Sequence, residues 1–464
     1  MWSKLKMRFY DENRINYNQM PFSSKALWGL LLPIVVEQLL NSFMGMADTI
    51  MVSNVGSAAI SAVSLVDAVN VLVIQIFAAL AAGAAILCSQ CIGYGDLPKA
   101  NKAAGQIILT VFSISMIITI LFLIFRYPLL SAIFGQVTVE VMTNSVRYFT
   151  ITVMSYPFLA LSGAYAALFR AQGNSGYPMK ISFLSNILNI IGNAVFIFGM
   201  DLGVTGAAIS TLISRVFCML ILFYSLRKSS QQIRLRNYMK LRPDLMMITT
   251  ILAIAIPSAI ENGMFQFGKL AIQSTVSTMG TKAIAAQAMT NILEALNGTW
   301  GIGVGICLMT VVGQCIGAGK IEESKYYIVK LTGIGYVGVL ISCVFTFLMT
   351  KPITWIAGME AESAAMCFQM MCAITIVKPI VWCLSFIPAY GMRAAGDVRF
   401  SMSVSSITMW FCRVALCIFL VRTFHMGPMA VWFGMFADWT IRGIIFTIRF
   451  LSQKWIGTSL LETS

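Results

Sequence analysis

Apolar residues run in long stretches along this chain, broken by short polar segments. A run of about 20 apolar residues is long enough, as a helix, to cross the hydrocarbon core of a bilayer. The pattern predicts twelve spans, at 26–50, 60–86, 104–125, 142–166, 178–200, 203–226, 247–275, 283–312, 329–350, 366–391, 400–421 and 428–449. Composition agrees: 58% of residues are hydrophobic, 11% are charged and the mean hydropathy is +0.82. Soluble domains carry about 25% charged residues, so this chain cannot cover a water-facing surface. It is expected to be an all-α integral membrane protein.

The chain is also written twice. "SQCIGYGDLPKA" from Ser89 returns as "GQCIGAGKIEES" from Gly313, 224 residues later (313 − 89). Without gaps, Pro33 falls on Pro257, Glu37 on Glu261, Phe43 on Phe267 and Gly56 on Gly280; 16 of the 63 pairs between Pro33 and Gly95 are identical. A second echo, "FRAQGN" at Phe169 and "MRAAGD" at Met392, has an offset of 223 (392 − 169). Six spans per half return the chain to its starting side, so the halves are parallel repeats, an arrangement common among secondary transporters. The expected division is a segment 1–25, a six-helix lobe 26–226, a linker 227–246, a second six-helix lobe 247–450 and a tail 451–464.

The formal charge of +14 follows the topology and does not mark a nucleic-acid site. With these spans, 23 of the 32 Lys and Arg fall on one side, among them Lys4, Lys6, Arg8, Arg170, Arg236, Lys240, Arg393, Arg442 and Arg449. By the positive-inside rule that side is cytoplasmic, with both termini on it. The first 25 residues lack a short apolar core and a small-residue cleavage site, so the first helix is expected to be retained.

The short shared phrases have plain structural readings. "GYG" and "GAG" suit tight turns at helix ends, and "GIGVGI" from Gly301 suits a close-packed helix face. Pro33 and Pro257, inside spans, predict kinks. The 11 cysteines lie mostly in apolar runs, and Cys88-Ser89-Gln90-Cys91 lacks the βαβ context of a redox motif. A single histidine, His425, and no metal-ligand spacing argue against a membrane enzyme.

Charged residues within spans are candidates for function because burying them in a bilayer is costly. Glu37 and Asp48 lie on span 1, Asp67 on span 2, Glu261 and Lys269 on span 7, and Glu294 on span 8. Arg215, Lys378 and Arg413 are the other in-span cations. Glu37 and Asp48, eleven residues apart, share a helix face about 16 Å apart along the axis and form a polar stripe. Asn189 and Asn193 on span 5 are an i, i+4 pair. Lys269 and Glu294 are expected to pair with each other, with Glu261 nearby, since an unpaired lysine there would lose its proton or its stability. The plainer readings are a water-facing Asp48, a packed Glu37, interhelical bonding by the asparagines and a structural Glu294.

"LLLPIVVEQLLNSFMGMADTIMVSNVGSAAISAVSL", "FRAQGNSGYPM", "NILNIIGNAVFIFGMDLGVTGAAIS" and "GMRAAGD" together resemble the multidrug and toxic compound extrusion (MATE) family, across residues 26–450. The resemblance implies a twelve-helix monomer in the plasma (inner) membrane that exchanges organic cations for Na⁺ or H⁺, with no other cofactor. It implies cation coupling at Asp48. The family's N-x-x-x-D pattern on span 5 ends here in Asn193, which removes a titrating group and tilts the expectation toward Na⁺. The family's acidic residue on span 7 lies one turn beyond Glu261, where this chain has Phe265. Arg413 resembles a recurrent arginine that anchors span 11. The expected cation site is Asp48, Asn189 and Asn193, with Glu37 and Glu261 as counter-charges for the cargo. A lipid-linked oligosaccharide flippase is the alternative.

Overall fold

The structure, a computed structural model, describes residues 9–17, 20–135, 137–228, 232–234 and 242–456. Of the basic residues assigned to the cytoplasmic side, Lys4, Lys6, Arg8, Arg236 and Lys240 lie outside the described residues.

The long helices in chain order are α1 Ser24–Ser53, α2 Ser57–Tyr94 and α3 Leu97–Ile124, followed by a short α4 at Arg126–Phe134. α5 Val139–Met154 and α6 Tyr156–Ala171 come next, then α7 Gly176–Asn193 and α8 Gly203–Leu226. In the second half are α9 Leu245–Ser277, α10 Thr281–Gly317, α11 Ile321–Ile356 and α12 Ala361–Ala394. α13 Val398–Thr408, α14 Leu416–Phe424 and α15 Met429–Leu451 complete the chain. Among the described residues there is no strand. Among the described residues eleven helices, two of them continuing through a π turn, are long and apolar enough to span a membrane, and twelve if the bent pair α5 and α6 is one span. That pair turns by 42° at Ser155, with Pro157 just beyond; a proline is tolerated in a helix's first turn. The fourth span, expected at 142–166, is therefore bent, and α4 is an element the periodicity does not separate.

Contacts divide the chain into two compact units, the described parts of Trp28–Ala259 and of Met1–Leu27 with Ile260–Thr463. In the first, the start of α9 packs on α2, where Gly83 faces Ile251 and Ala255. In the second, "GIGVGI" does form a close-packed face: a side chain at Gly301 would strike Trp382, and one at Gly305 would strike Tyr390, both on α12. Exposed Ile117, Ile120, Leu121 and Ile124 on α3, and Val337, Ile341, Phe345 and Leu348 on α11, give each unit an apolar outer face suited to lipid.

The duplication is also written in the backbone. Gly95 (φ 87°) and Gly319 (φ 70°) take the left-handed conformation at offset 224, as the two turn phrases require. Pro33 and Pro257 both lie inside continuous helices. Each half carries a π-helical turn in its fifth span, Ala194–Gly199 after α7 and Met409–Ala415 between α13 and α14. Such turns often mark functional sites.

Candidate functional site

The unit 28–259 encloses a cavity of about 600 Å³, bordered by α1, α2, α5, α6, α7 and α8. Its charged lining is Glu37, Asp48, Asp67, Arg170 and Arg215. The stripe expected on α1 is present: Glu37, Asn41, Met44, Gly45 and Asp48, at helical spacing, all border the cavity.

Asp48 accepts a hydrogen bond from the Asn193 amide at 2.6 Å, and the same amide donates to Asn189 Oδ1 at 3.1 Å. Asn189 in turn donates to Thr211 on α8 at 3.3 Å, and its backbone carbonyl accepts from Ser210 at 2.7 Å. The two asparagines predicted to share a face thus do so, and Asn193 carries the cluster to Asp48 across two helices. Asn193 sits at the end of α7, directly before the π turn. One atom of the cluster has no partner among the described residues: Asn193 Oδ1, a fully buried acceptor. Leaving such a group unsatisfied costs about 1–3 kcal/mol. A hard cation answers that need, because it takes carboxylate, amide and hydroxyl oxygens as ligands. Asp48, Asn193 Oδ1 and Thr211 are such a donor set. Among the described residues no three His, Cys, Asp or Glu gather as a metal site.

Asp67 lies across the same cavity. It accepts from Asn70 at 3.0 Å, and Asn70 accepts from the Tyr156 hydroxyl at 2.7 Å. Arg215 donates to Ser155 at the bend of the broken span, at 2.6 Å.

Three expectations need correction. Glu37 is not a free counter-charge: Arg170 Nη1 meets both its carboxylate oxygens, at 3.1 and 3.3 Å. Glu261 is held likewise by Arg393 at 2.6 Å. Both arginines count with the cytoplasmic charges beyond the predicted spans, but the helices outrun those spans, and each lies in the last turn of its helix. Secondly, Glu294 pairs with Lys378 and not with Lys269; Lys378 also bonds Asn297 and the Glu294 carbonyl. The cause is burial: Lys378 is wholly enclosed, so its ammonium must be partnered. Thirdly, Arg442 is an interior residue of α15 and not a loop charge; it is 1% exposed and binds Asp438.

Asp438 itself was missed. It is fully buried and bridges Arg442, at 2.8 Å, and Arg413, at 2.9 Å. The i, i+4 spacing of Asp438 and Arg442 was the available signal; it was hidden by placing Arg442 at the membrane edge. Arg413 does anchor its span, through this carboxylate.

Comparison with known proteins places these features in a family. The sequence model of the MatE family matches residues 33–195 and again 257–419, at the offset of 224 seen within the chain. The chain is 26% identical to a probable multidrug resistance protein NorM of Thermotoga maritima, covering 97% of each. It is also 26% identical to the uncharacterized transporter YisQ of Bacillus subtilis, over 93% of this chain and 95% of that one. A structure described as the outward-facing conformation of a multidrug resistance MATE family transporter superposes with a TM-score of 0.87 at 19% identity, over 97% and 98% of the two chains. A MOP superfamily transporter from Pyrococcus furiosus superposes with a TM-score of 0.86 at 18% identity, over 96% and 98%. These likenesses share the fold.

Proposed function

The chain belongs to the MatE family of membrane transporters, and on that footing we propose that it is a cation-coupled exporter of amphiphilic organic compounds, with Na⁺ as the coupling ion. The relatives' names supply the cargo class, multidrug resistance and multidrug export. The observation that carries the coupling is the oxygen cluster of Asp48, Asn193 and Asn189, with Asn193 Oδ1 buried and unpartnered beside the Asp48 carboxylate.

In this reading the coupling ion takes Asp48 and Asn193 Oδ1, and its charge displaces the Asn193 amide from Asp48. Because Asn193 adjoins the π turn, the displacement reaches the backbone of the fifth span. Alternating access requires only that ion and cargo bind the two conformations with different affinity. Glu37 contributes shape and field at the cavity wall and not a net charge, since Arg170 balances it. The plasma membrane, cytoplasmic termini and a monomer belong to the same reading. A flippase for lipid-linked pyrophosphates would need a basic cavity, and this one sets three carboxylates against two arginines.

The test is export of a fluorescent organic cation from proteoliposomes, with Na⁺ and pH gradients imposed separately. Export driven by the Na⁺ gradient, and lost in Asp48→Asn, supports the reading. Export driven by the pH gradient alone overturns the choice of Na⁺, and export driven by neither overturns coupling.

A further inference from the structure

We infer that the second unit contains a subsite for an anionic group of the cargo, a carboxylate, formed by Lys269 and Arg413 around Phe265. The inference rests on the exporter reading for the origin of the anion, though the geometry stands without it.

Four cations deep in the spans of this unit, Lys269, Lys378, Arg413 and Arg442, share two carboxylates, Glu294 and Asp438; Glu261, also in this unit, is taken by Arg393. Lys378 takes Glu294. Arg413 and Arg442 share Asp438. Lys269 makes no direct ion pair: among the described residues no carboxylate lies within ion-pair distance of it, and its ammonium lies 5.4 Å from the centre of the Phe265 ring. These four cations therefore outnumber the two carboxylates by two (four minus two).

The surplus is local. The Arg413 guanidinium also lies over Phe265, 4.6 Å from the centroid, so one aromatic ring carries two cations. Close packing enforces this meeting. Gly268 has no side chain, which lets α9 press against Met409 at the start of the π turn. Lys269 follows Gly268, and Arg413 follows Met409 by about one turn. Arg413 is 1% exposed, yet its Nε donor has no partner. Beyond its pair with Asp438, this guanidinium thus keeps one donor able to bond an anionic oxygen, with Lys269 at the same ring. Lys269 itself is exposed, so it can be reached from solvent. A lysine at mid-span facing lipid would cost several kcal/mol, which argues that this face borders water or cargo.

Phe265 supplies the rest of the recognition. A planar apolar cargo can lie against the ring while its carboxylate bridges Lys269 and Arg413. The cavity of the first unit, with three carboxylates and two arginines, suits a cationic group. The subsite of the second unit is thus opposite in polarity to the cavity of the first.

The test uses a matched pair of dyes, rhodamine B with its free carboxylate and its methyl ester, bound to the full chain in nanodiscs. Fluorescence anisotropy is read in gluconate buffer, with empty nanodiscs subtracted. Lys269→Gln is expected to weaken the free acid about tenfold, the size of one lost ionic contact, to leave the ester within about twofold, and to be rescued by Lys269→Arg. Equal losses for acid and ester, or no loss, overturn the inference. Titrating chloride separates the sources: ester binding that strengthens with chloride only in the wild type, without any preference for the acid, assigns the site to a free halide and overturns the cargo carboxylate. If neither dye is transported by folded wild type while the acid preference persists, the exporter reading fails and the subsite stands.

Discussion

Arg170 holds Glu37 at 3.1 Å within the first unit, and at the matching positions of the second unit Arg393 holds Glu261 at 2.6 Å. The repeat offset is 224 for the glutamates and 223 for the arginines. Two copies of one gene segment therefore kept not just a carboxylate but an ion pair between the first helix and the end of the fourth span of each half.

Breaking such a pair on one side leaves an uncompensated buried charge, at a cost of about 3–5 kcal/mol. Glu37→Gln and Arg170→Gln should each lower the melting temperature in detergent strongly. The double variant should lose less than the sum of the two. Additive losses in this double-mutant cycle would show that the two residues do not interact.

The two lysines of the second unit should part company. Lys378 is wholly buried, meets Glu294 and Asn297, and lies over the rings of Trp382 and Trp439 at 5.3 and 5.9 Å. Lys378→Gln should destabilise the protein by several kcal/mol, while Lys269→Gln should leave its melting unchanged. A larger loss from Lys269 would mean that Lys269 is the structural residue.

Glycine packing gives a third expectation. Gly301 abuts Trp382, whereas nothing lies within 4 Å of a side chain added at Gly333. Gly301→Ala should cost about 1–3 kcal/mol through overpacking, and Gly333→Ala should be neutral or slightly stabilising. Thermal melts of the two variants check this, and similar melting would remove the tight α10–α12 contact from the account.

Outside the spans, Lys102 pairs with Asp244 at 2.6 Å just before α9. Lys102, and then the Met247 backbone N–H, hold the Asp244 carboxyl below its usual range. A depressed carboxyl contributes stability above its unfolded pKa, about 3.9, and loses it as pH falls through the folded value. Asp244→Asn should therefore melt below the wild type at neutral pH, with the gap closing below about pH 4. A gap independent of pH would assign the effect to packing.

The fold was legible because bilayer spans need long apolar runs and the repeat aligned without gaps. The asparagine pair was legible from i, i+4 geometry alone. What escaped lies where helix and apolar run part company. Arg170 and Arg393 sit at polar sequence positions that are nonetheless helical, so hydropathy reads them as loop charges; Arg442 lies inside the span 428–449 and is deeply buried, although the positive-inside count sets it with the cytoplasmic charges. Asp438 disappeared with Arg442. The partner of Glu294 could not be chosen from sequence, since Lys269 and Lys378 are both in spans and only tertiary packing decides which one is enclosed. The π turns leave no mark in hydropathy, and yet they stand beside Asn193 and hold Arg413.

The most direct test of the central claim is ²²Na⁺ movement driven by cargo. Proteoliposomes are loaded with a cationic dye and diluted into dye-free medium containing ²²Na⁺, with pH held equal on both sides. Antiport through Asp48 and Asn193 predicts that the dye gradient drives ²²Na⁺ inward with wild-type protein, and that Asp48→Asn abolishes this uptake while the protein stays folded. Dye efflux without ²²Na⁺ uptake, or uptake equal in the variant, would contradict it.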